Sequence, residues 1–325
     1  MHKLKRKSVI NALIAGLMLA ITGASIAQTP SSKPVRLIVG FPPGTAPDIV
    51  SRIVAQKLQE TTQQSYVVEN VAGAGGLIAA QQASKAPADG STLFLNTVSD
   101  MSIAPHMYNR LSYNPNDFGL ISHLVYADMI LTIPNKVPAK NLQEYVAWAK
   151  LQKPLFLATF GPGTPAHFGT VIFSNAFDLK SEPVHYKSTG DAMSGVISGD
   201  VPGLFVTSSL GTSFVKAGKL KALAVTSPTR MATMPDVPTF SELGYPQAVF
   251  SAWFGLAAPP NTPAAILDRI STDVRKVMQM PDVRQKLEAA GFRITGTSRE
   301  EFSLIVRNEY AHWGKAVLAT GFKAD

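Results

Sequence analysis

The residues best placed to do chemistry come in two matching loops. Phe41-Pro42-Pro43-Gly44-Thr45-Ala46-Pro47 closely resembles Phe160-Gly161-Pro162-Gly163-Thr164-Pro165, and each follows an apolar run and opens a helical pattern. A strand that ends in a glycine-containing turn can present several backbone N–H groups at the start of the next helix. Those donors, together with the positive end of the helix dipole, make a site for an anion. Neither loop holds Arg or Lys, so the donors would be neutral: backbone N–H groups, water and the hydroxyls of Thr45 and Thr164. Two such loops facing each other across a crevice would clamp a carboxylate. The same residues also read as helix caps. Thr45-Ala46-Pro47-Asp48 approximates a capping box, with Thr45 at the N-cap, proline in the first turn and Asp48 at the third helical position; Thr164-Pro165 opens the later helix with proline at its first position. Capping and ligand capture are compatible, and the residues alone leave both open.

Other spacings carry less. Gly73-Ala74-Gly75-Gly76 invites a dinucleotide reading, but GxGxxG would need a glycine where Ile78 stands, so a tight turn with close helix–sheet packing is expected. Ser213-Phe214-Val215-Lys216 has the SxxK spacing of serine acyltransferases without the elements that accompany it. No acidic cluster suggests a glycosidase pair. Cysteine is absent, which removes thiol nucleophiles, thiolate metal sites and disulfides. His106, His123, His167, His185 and His312 are scattered without metal-ligand spacing, so neither a metal nor another cofactor is expected. His167 reads as a packed or solvent-facing residue of a first helical turn. Thr97, Ser99, Thr207 and Ser208 end apolar runs, where ligands lie in open parallel sheets, although ordinary strand termination explains them too.

The elements that must hold these loops follow from periodicity. Strands are expected at Val35–Phe41, Tyr66–Glu69 and Thr92–Asn96, with helices at Asp48–Glu60 and Leu77–Lys85 between them. That alternation belongs to a parallel, helix-covered sheet. Near Leu120–Pro134 the character changes to two short apolar runs. A helix at Leu142–Lys150, a strand at Phe156–Phe160 and a helix at Pro165–Phe177 follow, then strands at Val184–Lys187, Gly203–Thr207 and Ala222–Thr226. Trp253–Ala257 begins a last strand, and helices are expected at Pro263–Met280, Pro281–Ala290 and Arg299–Thr320. Trp148, Trp253 and Trp313 read as core or interdomain packing. The fold class is α/β in two domains, with one copy of the echoed loop in each.

The N-terminus sets the compartment. Lys3, Lys5, Arg6 and Lys7 precede an uncharged apolar stretch from Val9 to Ile21, and Ser25-Ile26-Ala27 offers the small residues a signal peptidase reads. The stretch is about 13 residues, short of the ~20 that a spanning helix needs. Export with cleavage after Ala27 is expected, and no Cys follows to carry a lipid. Removing residues 1–27 lowers the formal charge from +8 to about +4, so the basicity is no argument for nucleic acid. Roughly 298 residues remain, enough to bury a core without disulfides and more than one core typically holds.

The ordered motifs resemble the Bug-type, or TctC-like, substrate-binding receptors of tripartite tricarboxylate transporters. The resemblance runs from about Lys33 to the C-terminus. It is carried by Val39-Gly40-Phe41-Pro42-Pro43-Gly44 with Asp48, Glu69-Asn70 with the glycine turn, Ala88-Asp89-Gly90-Ser91-Thr92-Leu93 and Tyr113-Asn114-Pro115-Asn116-Asp117-Phe118. Val237-Pro238-Thr239-Phe240, Gly244-Tyr245-Pro246, Trp253-Phe254-Gly255-Leu256 and Trp313-Gly314-Lys315 complete it. It implies a periplasmic binding protein of the type II-like, Venus-flytrap kind. Such a fold would close on a small organic carboxylate held by loops Pro42–Asp48 and Gly161–His167, partly through ordered water, and would catalyse nothing.

Domain I would comprise 33–128 and 250–315, and domain II 129–249 and 316–325, with crossings near Leu124–Pro134 and Pro246–Phe250. The expected ligand-binding residues are Phe41, Pro43, Gly44, Thr45, Asp48, Thr97, Ser99, Gly161, Gly163, Thr164, His167, Thr189, Gly190, Asp191, Phe205 and Thr207. The family commonly shows two glycines where this chain has Gly44-Thr45, and an Asp where Val206 follows Phe205; Asp191 is a carboxylate new to the crevice. An aspartate or glutamate ligand therefore does not follow. Membrane transporter subunits or a sensor-kinase ectodomain are the expected partners of a monomeric, periplasmic protein. The rival reading is an exported α/β hydrolase working in the same crevice, which would need a nucleophile–base pair.

Overall fold

Val35, Leu37, Ile38 and Val39 are all buried because the strand they form, β1 (Val35–Val39), is covered on both faces. The computed structural model describes residues 33–324 apart from residue 187; the expected export signal lies outside the described residues. β1 pairs in parallel with β2 (Tyr66–Asn70) on one side and β3 (Thr92–Thr97) on the other. The connecting helices are α1 (Ala46–Thr62) and α2 (Leu77–Ser84). Val50, Val54, Ala55 and Leu58 recur at helical spacing and turn one face of α1 onto the sheet. Gly40 and Gly76 meet where β1 ends: a Cβ on Gly40 would stand 2.7 Å from the Cα of Gly76. The glycine turn at 73–76 is thus a packing device, as its failed dinucleotide match implies.

β4 (Gly119–Pro134) is one 16-residue strand where the sequence suggested two short apolar runs. The reason is Asp128, a polar interruption that is nonetheless buried because Arg293 pairs with it. From Gly119 to Asp128 the strand pairs antiparallel with β9 (Ser251–Ala258), which also lies against β3. From Met129 onward it pairs with β7 (Leu204–Thr207) and, from Ile130, with β8 (Leu220–Val225). One strand therefore passes from one sheet to the next between Asp128 and Met129. The second sheet continues from β7 to β5 (Leu155–Thr159) and β6 (Ser181–His185), all parallel.

Around it lie α3 (Leu142–Ala149), α4 (Pro165–Phe177), α5 (Thr189–Ser198) and α6 (Ser208–Lys216). The chain returns through β9 to α7 (Ala264–Gln279), α8 (Pro281–Ala289), the two-residue β10 (Arg293–Ile294) against β4, and α9 (Arg299–Thr320). Ser298 and Glu301 form a reciprocal capping box at the start of α9.

The packing follows the two sheets. Leu37, Val50, Leu93, Phe254 and Val274 fill a cluster on the first sheet, and Ala158, Val196, Leu204 and Val206 one on the second. An aromatic-rich cluster links them, holding Phe94, Phe168, Phe205, Trp253, Phe302 and Trp313. Trp253 and Trp313 are fully buried, and Trp148 packs at the edge of that cluster.

Candidate functional site

The two echoed loops adopt the same turn. Thr45 sits at the N-cap of α1 in an extended conformation, and its hydroxyl donates back to the Pro42 carbonyl at 2.6 Å. Thr164 stands at the N-cap of α4 in nearly the same conformation and donates to the Gly161 carbonyl at 2.8 Å. The residue before each threonine is a glycine at positive φ, +78° for Gly44 and +75° for Gly163, which turns its N–H toward the helix. Gly44 N–H donates to Asp48 (2.9 Å), and Gly163 N–H donates to His167 Nδ1 (3.3 Å). The echo thus extends past the matched segments, to Asp48 and His167, each four residues after its glycine.

The capping box expected at Thr45 does not form. Its oxygen accepts no N–H from α1, because the side chain is folded onto Pro42 and Asp48 reaches back to Gly44 instead. Thr164 does cap, accepting the His167 N–H at 3.3 Å.

Asp48 is a brace rather than an open anion. Burial works to raise its pKa, but hydrogen bonds from Arg52, Gly44 and Asn70 outweigh burial and hold the carboxylate below its usual range. His167 is pushed the other way for a base: burial, then the nearby His185, lowers it to about 4. Its imidazole is therefore neutral near pH 7 and able to accept the Gly163 N–H.

Between the loops lies a cavity of about 90 Å³. Seven of the expected site residues line it: Phe41, Thr45, Thr97, Ser99, Thr164, Thr189 and Thr207. They come from the ends of β1, β3 and β7 and the starts of α1, α4 and α5. Pro43, Gly44, Gly161 and Gly163 shape the loops without lining the cavity, and Asp48 and His167 support them from within the first helical turns. Gly190 and Asp191 are exposed in the first turn of α5, where the Asp191 N–H donates to Ser188. Phe205 is core: it is 1% exposed and packs on Phe173, Phe240 and Phe250, because it shares the face of Thr207 but lies two residues back from the end of β7, deeper in the sheet.

Sequence reasoning missed the apolar half of the lining, Val98, Met129, Phe160, Leu210, Ala252 and Phe254; Ala46, Pro47, Pro165 and Ala166 lie within the two expected loops without having been singled out. The echo itself could have found Phe160, the counterpart of Phe41. Met129, Ala252 and Phe254 reach the cavity from the crossing strands β4 and β9, a placement only the topology reveals.

Among the described residues no charged side chain lines the cavity. It is ringed by helix N-termini, those of α1, α4, α5 and α6, and by the turn after β3, so its field favours an anion held by neutral donors. Directly behind that turn, Asp100 is 1% exposed and accepts from the Thr97 N–H (2.8 Å) and hydroxyl (3.1 Å). Burial pushes its pKa up to about 8 despite those bonds. Among the described residues no group of His, Asp and Glu has the arrangement to hold a metal. Thr159 and His185 are hydrogen-bonded at 2.5 Å, but neither lines the cavity, and the Thr159 oxygen already accepts from Gly161.

A family model described as the tripartite tricarboxylate transporter family receptor matches residues 50–322. The protein BugT of Bordetella pertussis is 28% identical over 320 residues, covering 95% of this chain and 97% of its own. The solved structure of MatC from Rhodopseudomonas palustris with bound malate has a TM-score of 0.82 at 26% identity, covering 88% of this chain and 99% of that one. The R. palustris protein Rpa4515, solved with adipate, has a TM-score of 0.86 at 26% identity over 90% of this chain and 99% of that one. These neighbours give the fold its class: a two-domain α/β periplasmic-binding-protein fold.

Proposed function

The chain belongs to the tripartite tricarboxylate transporter receptor family, and from that premise we propose that it captures a small organic carboxylate between its two domains and releases it chemically unchanged. The observation that carries the reading is the convergence of helix N-termini from both sheets on one cavity that no charged side chain lines among the described residues. Malate in MatC and adipate in Rpa4515 support a carboxylate as the chemical class. The ligand-binding loops are Pro42–Asp48 and Gly161–His167, with Thr97, Ser99, Thr189 and Thr207 completing the site.

Closure is a hinge motion in which contacts with both loops stabilise the closed form. We take domain I as 33–128 with 250–315, and domain II as 129–249 with 316–325. The change of sheet partners between Asp128 and Met129 supports the first boundary. The closed form is what a membrane transporter subunit or a sensor ectodomain recognises. A signal over residues 1–27 delivers the chain to the periplasm, where it acts as a monomer.

Thr45→Trp tests the site. The indole would fill the cavity from the start of α1, so ligand-dependent thermal stabilisation is expected to vanish while the unliganded melting temperature stays within a few degrees. Undiminished stabilisation would remove this loop from the site.

A further inference from the structure

The hydrogen-bond inventory of the cavity says more about its ligand than the class alone. Two of its hydroxyls have spent their protons on the chain, Thr45 on the Pro42 carbonyl and Thr164 on the Gly161 carbonyl, and the Thr97 hydroxyl is engaged with Asp100. Side-chain donation to a ligand is left to Ser99, Thr189 and Thr207, the last of which accepts from Ser209 at 3.1 Å and keeps its own proton. With the N–H groups that open α1 and α4, these donors match one carboxylate, whose two oxygens offer about four lone-pair sites.

Nothing comparable serves a second charge. Among the described residues no Arg, Lys, Asn or Gln lines the cavity. No acidic group reaches it either. Asp48 is paired with Arg52 and Asp128 with Arg293; Asp191 is exposed outside the lining. Asp100 is turned away onto Thr97. What remains of the wall is Phe41, Met129, Phe160, Leu210 and Phe254. An ammonium or a second carboxylate placed there would lose its hydration without compensation, whereas methylene, branched or aromatic carbon would be favoured.

We infer that the ligand is a monocarboxylate with an uncharged apolar body, lacking both an amino group and a second carboxylate. The inference rests on the carboxylate-receptor reading above and narrows it.

Matched ligand pairs test it on the mature protein, freed of co-purified ligand by unfolding and refolding. Titration calorimetry compares hexanoate with adipate, which adds a carboxylate to the same chain, and 4-methylpentanoate with leucine, which adds an ammonium. Each monocarboxylate is expected to bind at least 10-fold more tightly than its charged partner. Tighter binding of adipate or leucine overturns the inference while leaving a carboxylate receptor intact. Silence from all four, and from malate, refutes the receptor reading beneath it. Leu210→Lys adds an independent arm: a cation on the apolar wall should shift the ratio at least 10-fold toward adipate, and an unchanged ratio removes Leu210 from the ligand's body.

Discussion

A threonine hydroxyl can cap a helix, close a turn or meet a ligand, and in this cavity the choice is made residue by residue. Thr164 both closes its turn and caps α4; Thr45 closes its turn and leaves α1 without a side-chain cap. Thr164→Ala should therefore destabilise the protein by about 1 kcal/mol through lost capping alone, read as a shift in the urea midpoint without a change in slope.

Asp100 makes the sharper claim. Buried without a cation, it binds its proton more firmly folded than unfolded, with its pKa raised from 3.8 to about 8. Its favourable contribution is fully present below the unfolded value and is lost as pH rises through about 8. His167, lowered to about 4, has the opposite sign: its contribution is present above about 6.5 and lost as pH falls through about 4. Asp100→Asn should flatten the fall in stability between pH 5 and 9 and leave the acid limb in place, measured by urea unfolding across that range. An unchanged slope would mean Asp100 titrates normally.

At the scale of elements, most of the fold was legible because the apolar runs are long and their punctuation is strong. β1, β2 and β3 and the helices between them lie where periodicity put them, to within two residues at either end. The echoed loops were legible for the same reason: a Gly-Thr pair followed by proline in the first helical turn leaves a local signature in sequence. What was hidden was anything decided across the chain. β4 looked like two runs because a carboxylate in mid-strand reads as a break until Arg293, far along the chain, is seen to neutralise it. Phe205 looked like a site residue because it shares a strand and a face with Thr207, yet two residues back from the strand end it is packed among core rings. The apolar walls from β4 and β9 were invisible because no local rule places residues 129 and 254 in one cavity.

At the scale of the molecule, Asp128 and Ser251 lie opposite each other where β4 and β9 leave the first sheet, and Arg293 holds both. Its Nε and Nη2 reach the Asp128 carboxylate at 2.6 and 2.8 Å, Nη2 also donates to Ser251 at 3.2 Å, and its guanidinium lies 4.6 Å from the centre of the Tyr126 ring. The cluster fixes the strands at the proposed domain crossing. Arg293→Ala leaves a buried carboxylate unpaired, so a loss of about 2–3 kcal/mol is expected, less than for a wholly buried pair because the arginine is partly exposed. A loss below 0.5 kcal/mol in chemical denaturation would show that the cluster contributes nothing to the crossing.

The account stands or falls on whether the cavity holds an intact carboxylate. Mature protein incubated with a mixture of small carboxylates, washed and denatured, should release one of them unaltered, near one per chain, as read by mass spectrometry. The same compound at about 100 times its Kd should raise stability by about 2.7 kcal/mol. Recovery of a chemically altered compound, or of none with no stabilisation by any member of the mixture, would contradict it.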